Sequence, residues 1–364
     1  MSDKARVLVF AGTRKGAFVF ESDTRRENWK VNGPHFAGWS LQHMKYDPRS
    51  GILYASLDHM VYGSNIHMSP DLGKTWELVD GPHFPEGEER TVDRYWHVQP
   101  GHKSQPGLIW AGVDPGSLFK SEDDGKTWHA VDGINNHPTR ENWSEGAGGM
   151  MVHTVIQDPV NADRMFVAIS AAGVFRSDDG GMSWQPKNKG VLADFLPEHY
   201  PEVGQCCHHL VMSPENSDVL YQQNHCGVFR TKDGGDSWTD IGTDRLPSTF
   251  GFPMAIHPRD GNTIYVVPLV SSEYRYAPDG RFRVYRSNSG GDSWEGMSSG
   301  LPQDNAYLNV FREGLATDSC DPAGVYVGTG SGQLFYSRNE GNSWQAISYT
   351  LPPVYSVGTA VIDG

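Results

Sequence analysis

Apolar residues along the chain fall in short runs of four to six, often alternating with polar ones, and turn-forming residues close each run. Arg6-Val-Leu-Val-Phe-Ala11 and Ala17-Phe-Val-Phe20 open the chain. Leu53-Tyr-Ala-Ser56, Ile109-Trp-Ala-Gly112, Phe166-Val-Ala-Ile169, Leu220-Tyr-Gln-Gln223, Ile264-Tyr-Val-Val267 and Val325-Tyr-Val-Gly328 then repeat one pattern down its length. Each reads as a buried strand. In front of each of these six lies another short run, at 42–47, 95–99, 152–157, 209–212, 254–257 and 315–317, whereas the opening pair has none.

Between the runs stands an octet, Ser/Thr-x-Asp-x-Gly-x-Ser/Thr-Trp. It is clearest as Ser121-Glu-Asp-Asp-Gly-Lys-Thr-Trp128, recurs at 69–76, 177–184, 231–238, 287–294 and 337–344, and survives in worn form at 22–29. Tryptophans 29, 76, 128, 184, 238, 294 and 344 are 47 to 56 residues apart, so one supersecondary unit is used seven times. Asp71, Asp123, Asp179 and Asp233 are placed to accept hydrogen bonds from the turn backbone. Gly73, Gly125, Gly181, Gly235, Gly291 and Gly341 allow positive φ there. Ser289 and Asn339 replace the acid in two copies, and Arg26 stands at the glycine position of the first, whose turn must be rebuilt.

Seven four-stranded units across residues 1–364 predict an all-β, seven-bladed β-propeller forming a single domain. The first unit lacks an inner strand, and Val354-Tyr-Ser-Val-Gly-Thr-Ala-Val-Ile362 has the pattern to supply it, closing the ring and removing free sheet edges. Within a unit the order is inner strand A, then B, C ending in the octet, and D. Octet turns and A–B turns therefore share one face, while D–A and B–C connections share the other. The second face carries the long irregular loops 33–39, 81–90, 133–146 and 192–204, together with His59, Asp114, Asn224, His225 and Arg275.

The octet resembles the Asp-box, or BNR, repeat of the sialidase-like propeller superfamily, which also includes sortilin-type receptors, xyloglucanases and photosystem II assembly propellers. The resemblance spans nearly the whole chain. It implies a propeller whose boxes lie on the outer scaffold, and it leaves function to the opposite loops. For sialidases it implies an arginine triad, a Tyr/Glu nucleophile pair and an acid/base Asp; the N-terminal Arg-Ile-Pro motif is absent here, and seven blades replace six. For xyloglucanases it implies paired carboxylates, generally across a cleft between two propellers, with Asp114, Glu145 and Glu313 as candidates in one mouth. Trp39, Trp96 and Trp143 stand outside the octets as candidate sugar-stacking or core residues.

A formal charge of −14 without a Lys/Arg cluster argues against nucleic-acid and anionic-membrane partners. No 18-residue apolar run appears, and Met1-Ser-Asp-Lys-Ala-Arg6 leads directly into a strand, which predicts a cytoplasmic protein. Cys206, Cys207, Cys226 and Cys320 are too few for a disulfide framework and are read as free thiols, with Cys207 and Cys226 expected near each other.

Candidate chemistry comes from the inner strands, which converge on the channel. Alignment on their terminal prolines makes Gln42, Arg94, His153, His208, Phe252 and Glu313 equivalent, with His43 and His209 one residue later and His97 also on an inner strand. Either the 153/208 or the 43/209 register faces the channel. A histidine-lined propeller channel is similar in architecture to the iron-dependent carotenoid oxygenases and the manganese-dependent oligogalacturonate lyases. On that likeness His153, His208, Glu313, His97 and Gln42 are expected to hold a divalent transition metal (Zn, Mn or Fe); the alternative is a set of hydrogen-bonded structural histidines. Arg94 is expected as an anion clamp, and Tyr95, Glu145 and His225 as proton carriers. The resulting expectation is a metal-dependent hydrolase or lyase acting on a small polar, anionic or carbohydrate-like ligand. The alternatives are a metal-free glycoside hydrolase of the sialidase-like group and a non-catalytic binding propeller.

Overall fold

The computed structural model describes residues 5–146 and 148–363, so residues 1–4 of the N-terminal reading lie outside the described residues. Seven four-stranded antiparallel sheets form the blades of a ring. Blade two, for example, runs from its inner strand Ser40–Tyr46 through Leu53–His59 and Gly63–Ser69 to Glu77–Val79. Blade one joins Arg6–Thr13, Gly16–Asp23 and Lys30–His35 to the inner strand Val354–Ile362, with Arg6 opposite Ile362 and Gly12 opposite Ser356. The C-terminal strand closes the ring as expected. Among the described residues no helix is long and apolar enough to cross a membrane.

The octets explain the C–D hairpins atom by atom. Ser121 Oγ accepts the Gly125 N–H at 2.8 Å and donates to Asp123 Oδ1 at 2.7 Å. The same carboxylate accepts the Thr127 N–H at 2.9 Å and, through Oδ2, the Thr127 hydroxyl at 2.7 Å. Gly125 sits at φ +90°, where a Cβ is strained. These bonds satisfy a turn that has no strand partner of its own. The octet turns touch A–B turns, as where the Gly234 N–H reaches the Asp218 carbonyl at 2.9 Å, so both turn sets do occupy one face.

Neighbouring blades are joined by large buried side chains with polar tips. The B-strand tyrosines Tyr54 and Tyr221 are fully buried, and their hydroxyls reach the carbonyls of Asp124 and Gly261 in the next blade. Trp238 and Trp294 reach back, their indole N–H groups donating to the carbonyls of Lys187 and Ile241. The worn first octet is rebuilt around Arg26, at φ +57° and buried, whose guanidinium forms an ion pair with Asp318 at 3.1 Å.

Register supplies the feature that shapes the channel. Inner strands carry a β-bulge near their loop-face end: pairing skips between Leu41 and His43, Tyr95 and His97, Val152 and Thr154, Cys207 and His209, and Gly251 and Met254. In blade one the skip leaves Tyr355 unpaired. The extra residues are thus Gln42, Trp96, His153, His208, Phe252 with Pro253, and Tyr355. A bulge resets the two-residue alternation, so adjacent residues leave the strand in directions a regular strand does not offer.

Candidate active site

Bulge residues from four inner strands, Gln42, Trp96, Phe252 and Tyr355, line a cavity of about 330 Å³ at the loop-face mouth of the channel. Glu313 and Arg312, which precede the inner strand Leu315–Thr317 of blade seven, complete the wall with Arg94, Arg275 and Phe311. Arg94 and Arg312 each place a guanidinium carbon 5.9 Å from the Trp96 ring, and Arg275 stands 5.4 Å from the Phe252 ring. The mouth is therefore cationic and aromatic, although the whole chain is acidic.

Alignment on terminal prolines fails in blade three. Pro100 is itself the last paired residue, opposite Ile109, and so matches Tyr46 opposite Leu53. Trp96, not Arg94, is the counterpart of Gln42, and His97 is the counterpart of His43. Arg94 still reaches the mouth, two residues earlier, where it pairs with Asp114 at 2.6 Å. Burial raises the Asp114 carboxyl above the ordinary carboxylate range; Arg94 opposes that shift and nearby Asp93 and Glu145 add to it.

Below the mouth, His43, His97 and Glu313 bring their ligand-type atoms within 4.8 Å of one another. His209 Nδ1 lies 3.9 Å from Glu313 Oε1. Both nitrogens of His97, Nδ1 of His209 and Oε1 of Glu313 are buried and lack protein partners. Burial pushes His43 and His209 down to about 3, helped by the charge of Lys45 and, at His209, of Arg312. It pushes Glu313 up to about 7 against the opposing effect of Arg312 and Lys45. His43, His97, His209 and Glu313, from four different blades, thus converge on one another.

The 153/208 register turns to the neighbouring blade instead. His153 contacts the Thr154 hydroxyl through Nδ1 and the Cys207 carbonyl through Nε2, both at 2.9 Å, and stands in neither cluster of metal-ligand type among the described residues. His208 Nδ1 meets the Gly251 carbonyl at 2.6 Å. The two carbonyls come from the residue before the bulge in the next blade, so the two histidines repeat one inter-blade contact. His208 differs in joining a second group, with Cys206 and His225, whose ligand-type atoms also lie within 4.8 Å of one another. This group opens into a cavity of about 310 Å³ that contains Glu145 and shares Gly148, Phe252, Arg275 and Arg312 with the mouth.

Of the expected proton carriers, Glu145 and His225 thus reach this side cavity. Tyr95 does not: it lines a different groove beside Gly81 and His83 and packs between blades. The side chain before a bulge points away from the channel, which explains the miss. Trp143 is core, packed on Phe175 and His137, and Trp39 stacks on Tyr62. Cys207 and Cys226 form no thiol pair: the Cys226 thiol donates to Asp194 at 3.0 Å, and Cys207 lies against the His209 and Gln223 carbonyls. Lys45, Phe311 and Tyr355 carried no signal in a strand alignment that ignored bulges.

No protein-family model matches the chain. Among curated proteins it is 24% identical over 272 residues to the xyloglucanase Xgh74A of Acetivibrio thermocellus, covering 67% of this chain and 30% of that protein. It is 24% identical over 298 residues to an oligoxyloglucan-reducing end-specific xyloglucanase of Emericella nidulans, covering 74% and 34%. The chain therefore spans about a third of the length of the curated relatives it matches. Among solved structures, an ancestral GH74 enzyme superposes with a TM-score of 0.60 at 18% identity, over 85% of this chain and 39% of that one. A putative 6-phosphogluconolactonase from Bacteroides uniformis superposes with a TM-score of 0.57 at 11% identity, over 99% and 100%. The fold is a seven-bladed propeller related to that of the xyloglucanases.

Proposed function

We propose that this chain is a carbohydrate-acting hydrolase whose substrate seats at the loop-face mouth of the channel. The observation that carries the reading is the cavity in which Trp96 lies beside two guanidinium groups, with Phe252, Phe311 and Tyr355 around it. Apolar faces of a sugar ring stack on such aromatic surfaces, and arginines bond its hydroxyl or carboxylate oxygens in the plane of the ring. A volume of about 330 Å³ is at the small end of ligand sites and suits one or two sugar units at a chain end. The distant sequence similarity to xyloglucanases supports the same substrate class. The octets are read as Asp-box repeats serving the scaffold, with no part in catalysis.

Asp114 is the acid of this reading: burial favours its protonated form, and it donates that proton to the glycosidic oxygen as the C–O bond breaks. Glu145, exposed on the adjoining cavity wall, takes a proton from the water whose oxygen adds to the anomeric carbon. Arg94 holds the Asp114 carboxyl in place. Both carboxylates come from one ring, so no second propeller is needed.

The test is a panel of neutral and uronate-bearing oligosaccharides, followed by reducing-end release and by saturation-transfer NMR. Wild type should cleave at least one of them, Asp114→Asn should lower kcat by about 100-fold or more, and Trp96→Ala should raise KM. Ligand binding without cleavage would leave a binding propeller; no saturation transfer to any sugar would overturn the reading.

A further inference from the structure

We infer that Cys206, His208 and His225 form a zinc-type site, a Cys-His-His set with an open fourth position, at the loop-face end of blade five. The set is local. Cys206 immediately precedes the inner strand Cys207–Met212, His208 is its bulge residue, and His225 sits on the turn between Leu220–Asn224 and Gly227–Thr231. The backbone ties the two segments together, His225 N–H to the Cys206 carbonyl at 2.9 Å.

The tautomer of His208 is decided by its partner. A backbone carbonyl only accepts, so the 2.6 Å contact with Gly251 places the ring proton on Nδ1 and leaves Nε2 as an unprotonated donor atom. Metal-bound histidines commonly show this arrangement, with the second nitrogen held by a carbonyl or carboxylate. The His208 and His225 rings are T-shaped, 5.6 Å apart at 77°. Phe195 and Phe250 flank His225 at 5.3 and 5.2 Å, and Phe252 stacks on His208 at 4.7 Å, so the rings are braced from behind.

Ligand atoms on one tetrahedral zinc, at 2.0–2.3 Å from it, stand about 3.4–3.6 Å apart. Closing the set from its present spread takes side-chain movement of about an ångström, available at half-buried Cys206 and His225. The fourth position faces the cavity shared with Glu145, Ser144 and Ser170. A thiolate with two imidazoles selects a soft or borderline ion such as zinc over calcium or magnesium. Asp194, beside His225 and Cys226, adds negative charge, whereas Arg275 and Arg312 oppose a bare cation. Their charge suits the open position to an anionic fourth ligand, hydroxide or a carboxylate.

The second histidine cluster differs. His43 Nδ1 accepts the Val98 N–H at 3.3 Å, which puts its ring proton on the other nitrogen, and the Lys45 ammonium acts on His43, His97 and Glu313 alike. The zinc inference does not rest on the carbohydrate reading.

The experiment strips the purified full chain with a chelator and titrates it with cobalt(II), then with zinc. The expected result is one ion per chain, a near-ultraviolet thiolate-to-cobalt charge-transfer band that zinc bleaches, and a raised Tm with zinc. Cys206→Ser should abolish the band, and Cys206→Ser or His225→Ala should each weaken zinc binding at least 10-fold, whereas His97→Ala leaves it unchanged. Both sensitive positions lie at half-buried strand or turn ends, and circular dichroism checks that each variant is folded. Folded wild type that binds neither ion, a band that survives Cys206→Ser, or binding lost only in His97→Ala would overturn the assignment.

Discussion

Replacing Arg26 with alanine removes the ion pair that latches blade one to blade seven. Asp318 is buried and accepts Arg26 Nη1 at 3.3 and 3.1 Å, the Tyr326 hydroxyl at 2.7 Å and the amides of Cys320 and Gly324 at 2.9 and 2.8 Å. The second terminal nitrogen of Arg26, Nη2, donates to the Pro322 and Arg338 carbonyls. Truncation therefore strands a carboxylate in the interior and frees two carbonyls, and breaking such a buried pair costs about 3–5 kcal/mol. A domain of 364 residues, at an unfolding entropy of about 2.1 cal/mol/K per residue, has ~0.76 kcal/mol/K in all, so Tm should fall by about 4–7 °C. Arg26→Gly should lose less, because glycine relieves about 1 kcal/mol of strain at φ +57°. Urea titration followed by tryptophan fluorescence and circular dichroism, with calorimetry for Tm, measures each variant. The double replacement Arg26→Met with Asp318→Leu leaves no unpaired charge but strands the Tyr326 hydroxyl and the Cys320 and Gly324 amides, so it should not recover the loss. A loss below about 1 kcal/mol in Arg26→Ala would refute the latch.

Deleting residues 354–362 leaves Arg6–Thr13 as an open edge and should abolish cooperative unfolding, with aggregation seen by gel filtration; a chain that keeps its full Tm refutes closure by this strand. Acid should weaken the octet turns. Burial would raise the Asp123 and Asp233 carboxyls, but the Thr127 amide, the Ser237 hydroxyl and their neighbours hold both down to about 2. Their stabilisation is present above the unfolded pKa and is lost as pH falls from about 4 to about 2; equilibrium unfolding in that window should be less pH-dependent in Asp123→Asn with Asp233→Asn. His153→Ala leaves the buried Cys207 carbonyl without its side-chain partner and should cost about 1–3 kcal/mol in urea unfolding, with zinc binding unchanged by cobalt spectroscopy.

The histidines show where reading the chain stops. Strand alternation separates a 153/208 set from a 43/209 set, because neighbouring side chains on one strand take opposite directions. It does not choose between the sets, since the choice turns on the extra residue at the bulge of each histidine-bearing inner strand. His97 joined His43 only after the Pro100–Ile109 pairing placed Trp96 at the bulge. Tyr95 was misplaced for the same reason. The sequence presents Cys206 only as a free thiol, because nothing local shows that His225, on the turn after Leu220–Asn224, meets Cys206 and the bulge residue His208. Asp114 was visible as a loop acid, but its burial beside Arg94 is a product of packing.

Blade number, strand order, ring closure and the division into a scaffold face and a loop face follow from features that act over a few residues and then recur. Octet hydrogen bonds, glycine φ and two-residue alternation are local interactions, so they are written locally and repeated from blade to blade. The composition of the mouth is different in kind. Trp96, Phe252, Glu313 and Tyr355 lie far apart in the chain and meet because seven inner strands, six of them bulged, converge on one axis, and the environments of Asp114, Glu313 and His208 come from neighbours supplied by other segments. Burial and charge at a point are sums over the whole fold, and no short stretch of sequence contains them.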